Sequence, residues 1–149
     1  MRIDDGTIRE ITFDRPDVRN AMTAAVAREL ADALADLDPA DHDAVVITGD
    51  GESFSAGGDI EAMAEREETT PEAYERVRTT LGRVAENALS APVPIVAKVN
   101  GDAVGAGMSL AAVSDFAYAA DSARFGASFI NVGLVPDMGA TAILPRLIG

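Results

Sequence analysis

The chain has 149 residues, a formal net charge of −13, no cysteine and one histidine, and its length suits a single domain spanning residues 1–149. The lack of cysteine excludes disulfide frameworks, thiolate nucleophiles and cysteine-bound zinc, and His42 alone is a poor basis for a metal site or a serine–histidine mechanism. The acidic balance argues against nucleic-acid or anionic-membrane partners, and the absence of a signal-peptide pattern or a membrane-length apolar run predicts a soluble, cytoplasmic protein.

Apolar periodicity defines the first predicted elements. Residues 7–13 alternate between apolar and polar side chains, which predicts a strand that could include a bulge. Residues 22–37 repeat apolar side chains at spacings of three and four, so they predict an amphipathic helix that ends before Pro39. His42 lies in the polar turn that follows and is expected at the surface. Residues 44–48 form a continuous β-branched run and predict a strand buried on both faces.

The rest of the chain alternates between helix and strand patterns. A glycine-rich loop at 49–59 leads into a helical stretch at 59–67, and a second helix starts at 69–72 and runs to about Ser90. The order predicted after Pro92 and Pro94 is a buried strand at Ile95–Val99, a turn at 100–105, a small-residue helix at Ala106–Val113, a strand at Phe116–Ala119, a loop-rich stretch at 126–139 and a helix from Ala140. This alternation predicts an α/β fold with mainly parallel pairing.

Two segments, 55–60 and 101–107, share one design, in which a buried strand runs into a glycine-rich turn that opens a helix. Neither has the residue order of a phosphate-binding loop or of a dinucleotide fold. The first N–H groups of a helix have no internal acceptors, so two such turns that converge would form an oxyanion hole. The alternative is that the glycines only permit tight turns and close helix packing.

Four motifs, taken in order, resemble those of the enoyl-CoA hydratase/isomerase (crotonase) family. They occupy residues 14–22, 54–60, 94–111 and 125–149, so the resemblance covers the whole chain. It implies a crotonase-like α/β spiral of β-β-α units. It also implies a coenzyme A thioester whose carbonyl oxygen becomes an enolate held by the N–H groups of Gly58 and Ala106. Coenzyme A would be part of the substrate, with no separate cofactor and no metal.

The same resemblance implies the substrate-binding residues. Arg19 would contact a phosphate, although a solvated arginine is an equal alternative. The coenzyme A site would comprise Arg19, Ala21, Ala56, Asp59 and Ile60, and further substrate contacts would come from Gly105, Ser109, Phe129, Val132 and Pro136.

The candidate acid/base is Asp137. The two glutamates of the family's hydratases would fall at Ser109 and Phe129, and neither side chain is a general base. Asp137 has apolar neighbours in sequence, so we expect burial to raise its pKa. Its surroundings resemble the phenylacetate-type branch of enoyl-CoA isomerases, in which one aspartate at this position shuttles a proton. The alternative is that Asp137 caps the helix starting near Gly139.

The resemblance therefore favours an enoyl-CoA isomerase, with two alternatives. One is a hydratase of fatty-acid or aromatic degradation. The other is a truncated, inactive chain that only binds acyl-CoA, because members of the family usually continue past Gly149 with helices that cover the acyl pocket. A homotrimer or hexamer is implied if that region is supplied, and the chain would be the front portion of a longer domain.

The charge also suggests a habitat. Lys98 is the single lysine among 12 basic residues, and the acidic surface would repel itself at low salt. We expect a halophilic protein, the alternative being an acidic mesophilic protein from a GC-rich genome. The melting temperature should then rise with KCl concentration, and equal stability without salt would contradict this expectation.

Overall fold

Eight strands form two sheets, and six α-helices and two 3₁₀ turns complete the computed structural model, which describes residues 1–149. The strands are β1 Arg2–Asp4, β2 Ile8–Phe13, β3 Ala44–Gly49, β4 Ser53–Ser55, β5 Ile95–Val99, β6 Asp102–Val104, β7 Phe116–Ala119 and β8 Phe125–Gly126. The helices are α1 Ala24–Ala35, α2 Ile60–Ala64, α3 Thr70–Thr79, α4 Leu81–Leu89, α5 Ala106–Val113 and α6 Ala140–Ile148, and the 3₁₀ turns are Pro16–Val18 and Ser128–Val132.

The sheets confirm the expected α/β class with mainly parallel pairing. The larger sheet has the order β1-β2-β3-β5-β7, in which only β1 pairs antiparallel. The smaller sheet is β4-β6-β8 and is parallel throughout. From β3 onward the chain repeats one unit: a strand of the larger sheet, a strand of the smaller sheet, and then one or more helices. No helix combines the length and apolar character needed to cross a membrane.

Strand β2 is regular, so the bulge expected within residues 7–13 is absent. Its register with β3 runs without interruption from Ile8 opposite Ala44 to Phe13 opposite Gly49. Arg9 points inward and is buried, because its guanidinium donates to the Ala33 carbonyl at 2.8 Å and to a carboxylate oxygen of Asp5 at 2.7 Å. These bonds offset the cost of burying the charge.

His42 is buried, so the expectation of a surface position is wrong. Its side chain is 7 % exposed. Nε2 lies 3.1 Å from the carboxylate of Asp5, and Nδ1 lies 3.1 Å from the carbonyl oxygen of Asp38. The hydrogen bonds of Arg9 and then of His42 hold the pKa of Asp5 below its usual value. The polar turn before β3 is therefore folded around the imidazole.

The helix predicted to run to Ser90 is two helices, α3 and α4, which meet at Thr80. The Thr80 backbone has φ −120° and ψ −100°, and its hydroxyl donates to the Arg76 carbonyl at 2.6 Å. A hydroxyl bonded back to the preceding turn competes with helix geometry. The break lets α4 bury Val84, Ala85 and Ala88 against the core that α1 shares.

The main core lies between the larger sheet and the helices α1 and α4. It includes the fully buried Ile11, Leu30, Val45 and Ile95. Phe13 of the larger sheet meets Phe54 of the smaller sheet edge-to-face, with ring centroids 6.1 Å apart. The two sheets are thus joined beside the loop that follows β4.

Candidate active site

Two short strands that sequence patterns did not predict organise the site. The glycine-rich loop at 49–59 contains β4, and the turn at 100–105 contains β6. These strands pair in parallel, with Ser53 opposite Asp102 and Ser55 opposite Ala103. Since both strands end at the same edge, the turns that follow them lie side by side.

Glycine is required where these turns touch. Gly57 has φ +88°, and a Cβ added there would lie 2.6 Å from the Val104 carbonyl oxygen and 3.1 Å from the Ala106 nitrogen. A Cβ on Gly107 would lie 2.5 Å from the Ser55 carbonyl oxygen. The interpretation that the glycines permit close packing is therefore correct, and that packing brings the two candidate donors to one place.

The first candidate donor is the backbone N–H of Gly58. Its neighbours are all engaged: the N–H of Ala56 donates to the Arg19 carbonyl at 2.8 Å, that of Gly57 to the Ser55 hydroxyl at 3.2 Å, and that of Asp59 to the Met22 carbonyl at 3.0 Å. The N–H of Gly58 has no acceptor among the residues of the chain. It is a free donor within an otherwise fixed loop.

The second candidate donor is the backbone N–H of Ala106. Ala106 is the first residue of α5, so no earlier helical turn offers an acceptor. Gly105 precedes it with φ +54° and ψ −122°, and its N–H is held by the Gly126 carbonyl at 2.8 Å. The positive end of the α5 dipole adds to the field at this donor.

Both donors line one cavity of about 210 Å³, which we call the main cavity. Its lining is mostly apolar, and it includes Asp137. The lining residues are Ala56, Gly58, Ile60, Met63, Leu81, Val104, Gly105, Ala106, Ser128, Phe129, Asn131, Val132, Leu134 and Asp137. The site therefore combines two free N–H groups, one carboxyl group and an apolar wall.

Asp137 carries an unpartnered polar atom. Its Oδ1 is buried without a hydrogen bond, and no other buried side-chain nitrogen or oxygen in the chain lacks a partner. The helix-cap alternative is wrong, because Gly139 is the residue before α6 and the first N–H groups of α6 donate to no capping side chain. Asp137 bonds to the start of that helix through its backbone carbonyl, which accepts from the Ala140 N–H at 2.9 Å.

Burial raises the pKa of Asp137, as its apolar sequence neighbours predicted. Its own backbone N–H and the Ser109 hydroxyl oppose this rise, and burial is the larger effect. Such a carboxyl group is suited to exchange protons with a bound molecule.

Comparison with known proteins decides the family. The sequence profile described as "Enoyl-CoA hydratase/isomerase" matches residues 4–149. The chain belongs to the enoyl-CoA hydratase/isomerase family. The crystal structure of a putative enoyl-CoA hydratase/isomerase from Mycobacterium abscessus superposes with a TM-score of 0.88 at 35 % identity, over 99 % of this chain and 59 % of that one. The expected crotonase-like fold is thereby confirmed.

Two curated relatives within this family differ in the reaction that their names give. A probable enoyl-CoA hydratase of Rhodobacter capsulatus is 41 % identical over 143 residues, which are 93 % of this chain and 52 % of that protein. An enoyl-CoA delta isomerase 2 of Rattus norvegicus is 31 % identical over 145 residues, covering 97 % of this chain and 37 % of that protein. The chain thus spans about half of the first relative's length and less of the second.

Eight of the residues that the family resemblance implied lie together around the main cavity: Ala56, Gly58, Ile60, Gly105, Ala106, Phe129, Val132 and Asp137. Ser109 does not line the cavity and is fully buried, and its hydroxyl donates to the Gly105 carbonyl at 3.2 Å. Pro136 is half-buried beside Asp137 and does not line the cavity.

The other three implied residues, Arg19, Ala21 and Asp59, lie outside the main cavity. Arg19 is exposed and its carbonyl fixes Ala56. Asp59 caps α2 by accepting from the Ala62 N–H at 3.1 Å, and it pairs with Arg15 at 3.1 Å. The cap and then Arg15 hold the pKa of Asp59 below its usual value despite partial desolvation.

Sequence reasoning missed the residues that hold the first donor loop. Asn20 is buried and donates from Nδ2 to the carbonyls of Asp50 and Ser53 at 2.9 and 2.8 Å. Arg15 donates to the Ala21 carbonyl at 2.6 Å as well as to Asp59. Both lie in the 14–22 motif, which was noted for its family likeness and not for these contacts. Their spacing alone carries no signal, since every acceptor except the Ala21 carbonyl is 30 to 44 residues away.

Removal of the Asp137 charge should stabilise the folded chain at neutral pH. A carboxyl group whose pKa is raised in the folded chain leaves the free energy of unfolding unchanged below its unfolded pKa of 3.8, where it is neutral in both states. As the pH rises above 3.8 and through the raised pKa, the folded chain loses stability. Asp137→Asn should therefore raise the free energy of unfolding by about 1 kcal/mol, the order by which an unsatisfied charged group costs more to bury than a neutral one. Urea denaturation should show this gain shrinking as the pH falls toward 3.8.

The matched control is the exposed Asp121. Asp121→Asn should leave the unfolding free energy unchanged at each pH. A loss of stability in Asp137→Asn at neutral pH would show that the Asp137 carboxylate is satisfied in the folded chain.

Proposed function

We propose that the main cavity binds the acyl thioester end of an enoyl-CoA and that Asp137 isomerises its double bond as the single acid/base. The observation that carries this proposal is the unpartnered Oδ1 of Asp137, which belongs to the same cavity as the free N–H groups of Gly58 and Ala106. A buried carboxyl oxygen without a protein partner is costly, so a role toward a ligand accounts for its presence.

The proposed chemistry needs one base and two donors. The thioester carbonyl oxygen accepts hydrogen bonds from the N–H groups of Gly58 and Ala106. The Asp137 carboxylate takes a proton from one carbon of the acyl chain, the electron pair moves into a dienolate, and negative charge develops on the oxygen that the donors hold. The same carboxyl group then gives a proton to another carbon, either the proton that it took or one exchanged with solvent in between. No atom is gained or lost, so neither a metal nor a separate cofactor is required.

The nucleotide part of coenzyme A would extend toward residues 19–21 and 56–60. In this proposal the exposed guanidinium of Arg19 contacts a phosphate. Ala21, Ala56 and Ile60 supply backbone and small apolar contacts, while Asp59 acts indirectly by capping α2 and holding Arg15. High salt would aid this binding by screening the net charge of −13 from the phosphates.

A hydratase is the second candidate, favoured by the names of relatives such as the Rhodobacter protein. Two residues oppose it. Ser109 is fully buried with its hydroxyl bonded to the Gly105 carbonyl, and Phe129 is an apolar side chain that is 6 % exposed. Neither can activate a water molecule as a general base. Ring-containing acyl groups, as in the phenylacetate-type branch, are one substrate class within the isomerase proposal.

The function is tested by turnover and solvent-deuterium exchange with a panel of enoyl-CoA esters, both straight-chain and ring-containing. The isomerase proposal expects movement of the double bond and exchange at the acyl carbons. Calorimetric binding of the same esters distinguishes an inactive acyl-CoA-binding chain from an enzyme, because the inactive chain would bind the esters without exchanging their protons. Mass determination in solution tests the proposed homotrimer or hexamer, and formation of a hydroxyacyl product would favour the hydratase.

A further inference from the structure

The main cavity lies next to a second space, and the side chains of Met63 and Leu81 line both. The second space, which we call the side pocket, has a volume of about 30 Å³. Gly58, Met63 and Leu81 line both spaces. Met63 therefore lies at the boundary between the two, and removal of its side chain would enlarge the main cavity on that side.

The position of Met63 is fixed by the cap of α2. The Met63 N–H donates to the Asp59 carbonyl at 3.0 Å, and Asp59 itself caps the helix. Helical side chains point toward the helix N-terminus, and the Met63 Sδ accordingly lies 3.4 Å from the place that a Cβ on Gly58 would occupy. The thioether thus lies against the residue whose N–H is the proposed oxyanion donor.

The two spaces differ in polarity. Apolar side chains dominate the main cavity. The side pocket has a mixed lining, in which Arg66, Arg76 and Thr80 lie beside apolar residues such as Met22 and Ala27. Arg76 is held by Glu68 at 2.6 Å. An unbranched methionine can fill an irregular gap between such regions and can change rotamer. The mostly apolar lining therefore gives way to a mixed one beyond Met63.

We infer that Met63 is the end wall of the acyl site and restricts the substrate to short acyl groups. This inference rests on the proposed function. A space of about 210 Å³ is smaller than typical sites for drug-sized ligands, so the thioester and a few carbons fill it. A longer tail has to displace the Met63 side chain, because the side pocket behind it holds only about 30 Å³.

The test compares kcat/KM for crotonyl-CoA, hexenoyl-CoA and decenoyl-CoA in four variants. Met63→Ala should raise the ratio of decenoyl-CoA to crotonyl-CoA at least about tenfold, in line with the discrimination that one methylene gives in an apolar pocket. Met63→Phe should lower the ratio of hexenoyl-CoA to crotonyl-CoA by about tenfold. Met63→Leu preserves the volume and should keep the original ratios. Glu61→Ala, an exposed position on the same helix, should also leave them unchanged.

The inference is overturned if Met63→Ala has the same ratio of kcat/KM values as the unaltered chain, or if it loses kcat/KM equally with every ester. Either result leaves the proposed function in place. Absence of turnover by the unaltered chain overturns the proposed function instead. In that case the inference is tested by the ratios of calorimetric Kd values for the same esters. A shift of these ratios in Met63→Ala toward the longer esters supports it, and unchanged ratios contradict it. If no ester binds, both are wrong.

Discussion

Asp137→Asn is expected to abolish proton exchange at the acyl carbons of an enoyl-CoA while binding of the ester survives. A positioned acid/base contributes about 10²–10⁴-fold to such a step, and asparagine cannot carry the proton. Binding should persist because the two N–H donors and the apolar wall are untouched. Exchange followed by mass spectrometry in D₂O, with calorimetry for binding, measures both quantities.

The pH dependence of the unaltered chain provides an independent check of the same residue. Because burial raises the pKa of Asp137, the base form appears only as the pH rises above the ordinary aspartate value of 3.8. The exchange rate should therefore rise with pH through a midpoint above that value. Asp121→Asn should retain both the rate and the profile. Exchange by Asp137→Asn at the original rate would remove Asp137 from the mechanism.

Gly57→Ala is expected to impair the oxyanion hole and lower turnover by about 10²–10³-fold, the loss typical of one missing donor. The new methyl group would lie 3.1 Å from the Ala106 nitrogen and 2.6 Å from the Val104 carbonyl oxygen. The turn carrying Ala106 would have to move away from Gly58, so the two N–H groups would no longer converge on one oxygen. Steady-state kinetics with an enoyl-CoA ester measures the loss.

Gly133→Ala separates this effect from backbone strain. Gly133 has φ +71°, close to the +88° of Gly57, but a Cβ there meets nothing within 4 Å. Both variants should lose roughly 1–2 kcal/mol of stability from the left-handed conformation, and only Gly57→Ala should also lose most of its activity. Equal activities in the two variants would mean that the contact between the turns does not control the donors.

The larger elements could be predicted because their patterns are local. The apolar spacing of α1 and the continuous runs of β3 and β5 match the observed elements within a few residues. Strands β4 and β6 have three residues each, too few for a period to appear, and they exist because they pair with each other. The candidate N–H donors were proposed from family likeness, whereas their placement on one cavity depends on this non-local pairing.

Buried polar residues account for most of the other differences. Arg9 and His42 are inside because Asp5 and two backbone carbonyls satisfy them, and no residue pattern announces such partners. Asn20 similarly joins segments that are distant in sequence. Asp137 is the instructive exception, since its apolar sequence neighbours did predict its raised pKa.

The most direct test of the proposed mechanism is the product that the unaltered chain forms from a β,γ-enoyl-CoA ester in D₂O. Transfer of a proton by one buried carboxyl group predicts the α,β-enoyl isomer, with deuterium at the exchanged carbon and no added oxygen. A β-hydroxyacyl product would contradict the single-aspartate mechanism, as would a bound ester that neither moves its double bond nor exchanges.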